Sequence, residues 1–292
     1  MVYVLYNTTS GAHYGVDRIR EKMEASFPGE EISLASTLEI DDKKGYVAKV
    51  GEGDRLVIVG GDGTLNRFVN GIEDKEYPFP IYCFAAGTGN DFINDVTGVG
   101  SDALVQINDY IKGLPVAEIK GKSYKFINGV GFGIDGYCCD VGEQIRQKTG
   151  KAPNYTAIAL KGFVGAFKPV TAKVTVDGVT REYTDCWMVP TMNGRYFGGG
   201  MMLTPEQDRL NEGNELSIVV VHIKSRIRLL TIFPKIFKGT HVKHTKYVEI
   251  IKGKEVTVEF DNPTALQIDG ETIRDVTTYS AKSGSLVSAE AK

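Results

Sequence analysis

Leu56-Val57-Ile58-Val59-Gly60-Gly61-Asp62-Gly63-Thr64-Leu65-Asn66 is an apolar run that stops at a glycine-rich turn and opens a helical pattern. A continuous apolar run of this kind is what a strand shows when helices cover both faces of its sheet. Beyond Thr64, the apolar residues Leu65, Phe68, Val69 and Ile72 fall at i, i+3, i+4 and i+7, which lines one face of a helix. The unit is strand, tight turn, helix. Glycines let a ligand approach the backbone closely, and the N–H groups and dipole at a helix start favour an anion, phosphate above all.

A second unit of the same kind follows about two dozen residues later. Ile81 to Phe84 reads as the strand, Gly87-Thr88-Gly89-Asn90-Asp91 as the turn, and Phe92, Ile93 and Val96 as the buried face of the next helix. Asp62 and Asp91 thus occupy equivalent places. In a doubly wound sheet the turns at the carboxyl ends of strands gather along one edge, which brings both carboxylates toward the same phosphates. Unneutralised, they would repel a nucleotide, so Mg²⁺ is implied. Neither turn has the lysine of a Walker A loop, which disfavours an ordinary P-loop. A single aspartate in such a turn is as readily a turn or N-cap residue. Two in register argue for nucleotide binding and phosphoryl transfer.

From Val2 to about Leu114, the short apolar runs Val2 to Tyr6, Ile32 to Ala35, Leu56 to Val59 and Ile81 to Phe84 alternate with helical patterns such as Val16, Ile19, Met23 and Phe27. That alternation predicts an α/β layer with a mostly parallel sheet. Beyond Pro115, Val170, Ala172, Val174 and Val176 alternate strictly and end at the hairpin signal Asp177-Gly178. Leu216 to Ile223, Val256 to Phe260 and Leu266 to Ile268 also read as strands, with Asp269-Gly270 as a further turn. The expected fold class is a doubly wound α/β domain over 1–117 and a mainly β domain, a sandwich, over 118–280, with the site in the cleft between them.

The length of 292 residues suffices for two cores, and the net charge of −3 gives no global bias toward nucleic acid, so no nucleic-acid partner is expected. The four cysteines, at 83, 138, 139 and 186, lack the paired spacing of a zinc site and the density of a disulfide scaffold, and read as reduced thiols. Met1 leads straight into Val2 to Tyr6, and no window approaches about 18 uninterrupted apolar residues. A cytoplasmic protein without a membrane span is the expectation. The sequence is silent on oligomeric state, and a homodimer is compatible with it.

Gly60-Gly61-Asp62-Gly63-Thr64-Leu65-Asn66 followed by Gly87-Thr88-Gly89-Asn90-Asp91-Phe92 resembles the bacterial diacylglycerol kinase and sphingosine kinase type of lipid kinase. A Gly-Gly-Asp-Gly turn is shared with 6-phosphofructokinases and NAD kinases; the paired Gly-Thr-Gly-Asn-Asp-Phe is the specific part. Further matches are Phe126-Ile127-Asn128 with Gly131-Phe132-Gly133, Asn193-Gly194-Arg195 through Gly198-Gly199-Gly200-Met201, Gly239 with His241, and Leu266-Gln267-Ile268-Asp269-Gly270-Glu271. The similarity spans nearly the whole chain.

The resemblance implies a lipid kinase that uses ATP and Mg²⁺. Its ATP-contacting positions fall on Asn7, Thr8, Thr9, Ser10 and Gly11, on Thr37, on Gly60, Gly61, Asp62, Gly63, Thr64 and Asn66, and on Gly87, Thr88, Gly89 and Asn90. Asp62 belongs to the catalytic set. Asp269 and Glu271 supply the catalytic carboxylates, with the role of base open between them. A water-mediated magnesium network falls on Asp62, Asp91 and Glu118. A structural cation site falls on Arg209 and Asn214 carbonyls and the Glu212 side chain. The segment from about 280 returns to the first domain. The chain departs from the family pattern at Thr8, where proline is frequent, at Arg67, where glutamate is frequent, at Glu118, where aspartate is commoner, and at Glu212, where the family usually has aspartate.

From Leu216 to Val248 there is no Asp or Glu, but Lys224, Arg226, Arg228, Lys235, Lys238, Lys243 and Lys246 are present. Ile227, Leu230, Phe233 and Phe237 recur among them at helical spacing, with Pro234 placed to break the helix. This reads either as a solvated face over the core or as a basic amphipathic surface for anionic lipid, each cation contributing about 1 kcal/mol. The expected protein transfers the γ-phosphoryl group of ATP to a primary hydroxyl of a diacylglycerol-like lipid at the inner face of the membrane. The alternatives are a soluble-substrate kinase of the NAD kinase or phosphofructokinase kind, and a nucleotide-binding regulator with weak catalysis. Alanine at Asp62 or Asp269 is expected to abolish transfer and leave the fold intact.

Overall fold

The computed structural model describes residues 1–7, 15–87, 89–98, 104–151 and 153–284. Packing divides the chain into two units, Met1–Gly113 and the part that begins at Leu114.

The first unit runs β1 (Val2–Tyr6), α1 (Val16–Ser26), β2 (Ile32–Ser36), α2 (Lys43–Val47), β3 (Arg55–Gly60), α3 (Asp62–Asn70), β4 (Ile81–Ala85), α4 (Asp91–Thr97), β5 (Leu104–Gln106) and α5 (Asn108–Ile111). Its sheet has the order β2-β1-β3-β4-β5, the first four strands parallel and β5 antiparallel to β4. Leu56, Val57, Ile58 and Val59 are all at most 1% exposed, as a strand covered on both faces requires. Ile19 and Met23 of α1 are buried against this sheet, while Val16, counted with them in the apolar spacing, is 38% exposed at the helix start. The order places β1 between β2 and β3, so the winding reverses at the β1/β3 boundary. In doubly wound sheets that switch point opens the crevice where ligands bind.

The second unit runs β6 (Val116–Ile119), β7 (Lys122–Lys125), β8 (Gly129–Gly133), α6 (Ile134–Thr149), α7 (Tyr155–Lys161), β9 (Val170–Val176), β10 (Val179–Met192), β11 (Tyr196–Phe197), β12 (Met201–Met202), β13 (Leu216–His222), α8 (Arg226–Ile232), β14 (Val248–Gly253), β15 (Glu255–Ile268) and β16 (Glu271–Lys282). Two long strands organise it. The first halves of β10 and β15 both pair with β9, and their second halves both pair with β8. The ladders shift register near Tyr183/Cys186 in β10 and Glu259/Thr264 in β15, and each strand there turns from one layer into the other. The layers enclose Phe132, Val189, Ile218, Val258, Leu266 and Tyr279, and Phe132 stacks on Phe260 with ring centres 4.7 Å apart. A second apolar cluster around Trp187, Phe163, Leu229 and Ile236 lies beneath the helical segments.

Several elements differ from expectation. Val256–Phe260 and Leu266–Ile268 form one strand, interrupted at Asp261-Asn262-Pro263, where proline cannot donate to a ladder. The mainly β unit also carries α6, α7 and α8. A division at 117/118 would cut β6, whose residues Val116–Ile119 pair with Tyr279–Lys282 of β16, so Ala281 and Lys282 stay in the second unit. Pro234 does end α8, and the chain continues as a 3₁₀ turn over Phe233–Lys238.

Candidate active site

In the first unit, the two glycine turns interlock. A Cβ on Gly87 would lie 2.4 Å from the Gly61 Cα, and one on Gly61 would lie 2.9 Å from the Gly87 Cα, so only glycine fits on either side. The Ala86 N–H donates to the Gly60 carbonyl at 3.0 Å. Asn90 adopts φ 52°, a left-handed conformation that asparagine tolerates, and its amide makes a two-way clasp on Gly87. Oδ1 accepts from the Gly87 N–H and Nδ2 donates to the Gly87 carbonyl, both at 2.9 Å.

Asp62 joins the turns electrostatically. Its carboxylate accepts the N–H of Asp91 at 3.0 Å and of Phe92 at 2.9 Å, and so caps the start of α4 from the preceding turn. The expectation that the second turn offers these N–H groups to a phosphate is therefore not met: the anion at that helix start is Asp62 itself. Asp91 is 4% exposed and follows directly. Beneath the turns, burial pushes the Cys83 thiol up to about 12, with Asp62 adding to the rise, and such a thiol is unreactive.

At the β1/β3 switch point a recess of about 80 Å³ is lined by Asn7, Thr37, Lys43, Thr64 and Arg67 over an apolar floor of Leu5, Ile58 and Phe68. Asn7 Nδ2 donates to Thr64 Oγ1 at 3.1 Å, which ties the end of β1 to the first turn of α3. The Thr37 N–H donates to the Tyr6 carbonyl at 2.8 Å. Asn7, Thr37, Gly60, Gly61, Asp62, Gly63, Thr64, Asn66, Gly87, Gly89, Asn90 and Asp91 all belong to this unit. Thr8, Thr9, Ser10, Gly11 and Thr88 lie outside the described residues. Lys43 was not singled out in the sequence, because a lone lysine on a five-residue helix carries no pattern.

In the second unit, Asp269 and Gly270 adopt φ 45° and 88° and join β15 to β16, the left-handed pair a two-residue hairpin of the Asp-Gly kind needs. Asp269 is buried. Its carboxylate accepts the N–H groups of Ile127 at 2.6 Å, Asn128 at 2.8 Å and Gly129 at 3.0 Å, and its own N–H donates to the Gly129 carbonyl at 3.0 Å. The same loop is pinned from the other side by Arg209, which donates to the Ile127 carbonyl and, at 2.6 Å, to Asn128 Oδ1. Asn193 Nδ2 adds a bond to the Ile127 carbonyl at 3.1 Å. Glu271, across the hairpin, is exposed. Asp269 thus builds the turn, and Glu271 is the exposed carboxylate residue beside it.

Among the described residues, no three His, Cys, Asp or Glu side chains are grouped to hold a metal ion. Both Asp62 oxygens already accept main-chain N–H groups. Glu118 is exposed on β6 and accepts from the Ser123 hydroxyl. At the other position the Arg209 guanidinium is engaged as described, Glu212 is exposed, and Asn214 Nδ2 donates to the Gly284 carbonyl. These side chains form no direct cage for a metal ion; the expected network runs through water and the expected cation site through the Arg209 and Asn214 carbonyls, which these contacts leave open. His241, buried, pairs its Nε2 with the Leu203 carbonyl at 3.0 Å, and burial lowers its pKa, which keeps it neutral.

The close approach of the turns gives a direct test. Gly87→Ala should destabilise the protein by about 1–3 kcal/mol, the usual cost of forcing an extra carbon into packed backbone. Gly53→Ala, where a Cβ meets nothing within 4 Å, should change the urea midpoint little. Equal midpoints for the two variants would contradict the interlock.

Residues 1–117 match the diacylglycerol kinase catalytic domain, and residues 128–285 match the YegS C-terminal NAD kinase beta sandwich-like domain. A diacylglycerol kinase of Staphylococcus saprophyticus is 27% identical over 92% of this chain and 88% of its own length. A diacylglycerol kinase of Mycobacterium tuberculosis is 26% identical over 70% of this chain and 67% of its own. The crystal structure of a diacylglycerol kinase from Bacillus anthracis superposes with a TM-score of 0.61 at 20% identity, covering 97% of this chain and 94% of that one, a likeness of fold. With both domain families matched in order along its length, the chain belongs to the diacylglycerol kinase family and is a kinase of that family.

Proposed function

We propose that this protein is an ATP-dependent lipid kinase that transfers the γ-phosphoryl group to a primary hydroxyl of diacylglycerol or a similar lipid. The observation that carries the reading is the recess at the β1/β3 switch point, where Asn7, Thr37 and Thr64 set hydrogen-bonding groups, and Lys43 and Arg67 set two cations, beside the interlocked turns. Such a recess suits a polyphosphate. Asn7 to Gly11, Thr37, Gly61 to Asn66 and Thr88 are proposed to hold the nucleotide. Mg²⁺ is proposed to accompany the nucleotide and would neutralise the charge on its phosphates.

Phosphoryl transfer needs positioned phosphates and a group that takes the proton of the attacking hydroxyl. In this reading the lipid oxygen bonds to the γ-phosphorus, the bond to the bridging oxygen breaks to leave ADP, and the hydroxyl proton passes to Glu271. Asp269 is the poorer base because three N–H donors stabilise its anion. The reading requires the Glu271 turn and the nucleotide recess to serve one reaction.

The names of the relatives support a lipid acceptor, and so does one surface of the second unit. Ile227, 78% exposed, and Val164, 73% exposed, are the two most exposed large apolar side chains among the described residues. Arg226 ties their segments together: it donates to the Phe163 carbonyl at 2.6 Å and the Phe167 carbonyl at 3.2 Å, and lies over the Trp187 ring. Lys161, Lys168, Lys224, Arg228 and Lys238 are exposed on the same segments. Apolar side chains among cations suit peripheral docking on the anionic inner leaflet. No described helix is long and apolar enough to cross a membrane.

The test is an acceptor panel. With γ-labelled ATP and Mg²⁺, label should enter the organic phase when diacylglycerol is offered in mixed micelles. Transfer to NAD or a sugar phosphate instead would replace the lipid reading, and ATP binding without transfer to any acceptor would favour a regulator.

A further inference from the structure

Asp135 is a buried carboxylate to which the chemistry above gives no task. It stands in the first turn of α6 and is 7% exposed, and neither carboxylate oxygen meets a partner at full hydrogen-bond geometry, although the N–H groups of Asp135 and Gly136 and the Gln267 amide lie close enough to favour its charge. It lies directly over Gly131 of β8, where an added Cβ would come within 2.7 Å of Oδ2 and of the Pro190 Cα. Gly131 pairs across the sheet with Gln267, which is 3% exposed. The Gln267 side chain has one committed end. Oε1 accepts the Gly270 N–H at 3.1 Å, and since an N–H must meet an acceptor this fixes which amide atom faces the turn. The other end, Nε2, has no partner and lies toward the Asp135 carboxylate, whose charge it favours.

We propose that Asp135 is a positioning residue for the Asp269-Gly270-Glu271 turn, its ionised carboxylate selecting the orientation of the Gln267 amide that leaves Oε1 to hold the Gly270 N–H. An ionised carboxylate only accepts, so the amide presents Nε2 to it. A protonated carboxyl also donates. It then competes for Oε1, and the amide that turns to meet it sets an NH₂ group against the Gly270 N–H, two donors facing each other. The hold on the turn is lost, and with it the placement of Glu271. This role rests on the reading of Glu271 as the base.

The proton involved titrates in a useful range. Burial raises the Asp135 pKa to about 6, opposed by the N–H groups of the helix start and by Gln267. The groups that feel its charge are Cys138 and Cys139 on α6, Cys186 on β10 and Tyr279 on β16. Burial holds all four above their ordinary values, so they are neutral near pH 6, and the turn residue Glu271 acts on Cys139 from β16. The native state binds this proton more tightly than the unfolded chain, so folding stability falls as pH rises from about 4 through 6.

The experiment compares wild type, Asp135→Asn and Gln267→Met by kcat from pH 5 to 8 at saturating ATP and diacylglycerol, and by the ¹⁵N–¹H signal of Gly270. Wild type should lose activity on the acid side with a midpoint near 6, and the Gly270 signal should move with the same midpoint. Asparagine, like the protonated carboxyl, both accepts and donates and does not titrate, so Asp135→Asn should flatten both curves and hold them near the acid-side values of wild type. Gln267→Met should lower kcat more than tenfold and abolish the Gly270 movement. An unchanged midpoint in Asp135→Asn, or a Gly270 signal that does not titrate in wild type, overturns the proposal. The titration of ATP is common to all three proteins, so the differences isolate Asp135. If wild type phosphorylates no lipid the functional reading fails, while the Gly270 titration still decides the linkage.

Discussion

Asp269→Ala is expected to lower the melting temperature of the second unit by about 10 °C, because it leaves three buried N–H groups without their carboxylate. Each unsatisfied buried donor costs about 1–3 kcal/mol, and a loss of roughly 4 kcal/mol in a unit of this size corresponds to about 8–16 °C. The donors belong to Ile127, Asn128 and Gly129, which lead into β8, the strand between the second halves of β10 and β15. The effect therefore reaches the middle of the sandwich. Asp269→Asn should fall between, since one oxygen still accepts. Calorimetry on the three proteins checks this, and a shift below about 2 °C for alanine would contradict the role. The expectation of an intact fold after alanine substitution is revised accordingly, and for Asp62, which caps α4 through two N–H groups, the same argument applies.

The parts of the fold legible in the sequence were those fixed by neighbours along the chain. The run Leu56 to Val59 and the spacing of Leu65, Phe68 and Val69 identify β3 and α3, because burial and period are local. Asp177-Gly178 and Asp269-Gly270 identify two hairpins, because only certain residues accept positive φ at both turn positions. What escaped was set by partners distant in sequence. Gly129, Gly131 and Gly133 carry no strand signal, yet form β8, and each is glycine because Met192, Pro190 or Trp187 of β10 leaves no room for a Cβ. Helix α6 carries Gly136 and Gly142, which weaken a helical reading. The first packs on the Ala265 carbonyl and the second under the Tyr155 ring, contacts no periodicity reveals.

The candidate site divides along the same line. Asp62 and Asp91 were recognisable as equivalent, but that the first caps the helix of the second depends on the packing of Gly61 on Gly87. Arg209 was read through its carbonyl; its guanidinium, reaching Ile127 and Asn128, is the group the structure engages. Asp135 and Gln267 had no signature, because their relation passes through the β8–β15 ladder.

Glu271→Gln is expected to cost about 10²–10⁴-fold in kcat, the usual contribution of a positioned general base, with little change in stability. The side chain is exposed, and none of the main-chain N–H groups that depend on Asp269 depends on it. Glutamine keeps the shape and the hydrogen-bonding capacity and removes only the ability to take a proton. Asp269→Asn changes the neighbouring carboxylate equally little in shape, but its loss should be read chiefly in the melting temperature. The most direct measurement is kcat for transfer of labelled phosphate from ATP to diacylglycerol, for wild type and Glu271→Gln, at a temperature where circular dichroism shows both fully folded. The account predicts a fall of at least about 100-fold with melting temperatures within about 2 °C of each other. Wild-type kcat in Glu271→Gln would contradict it.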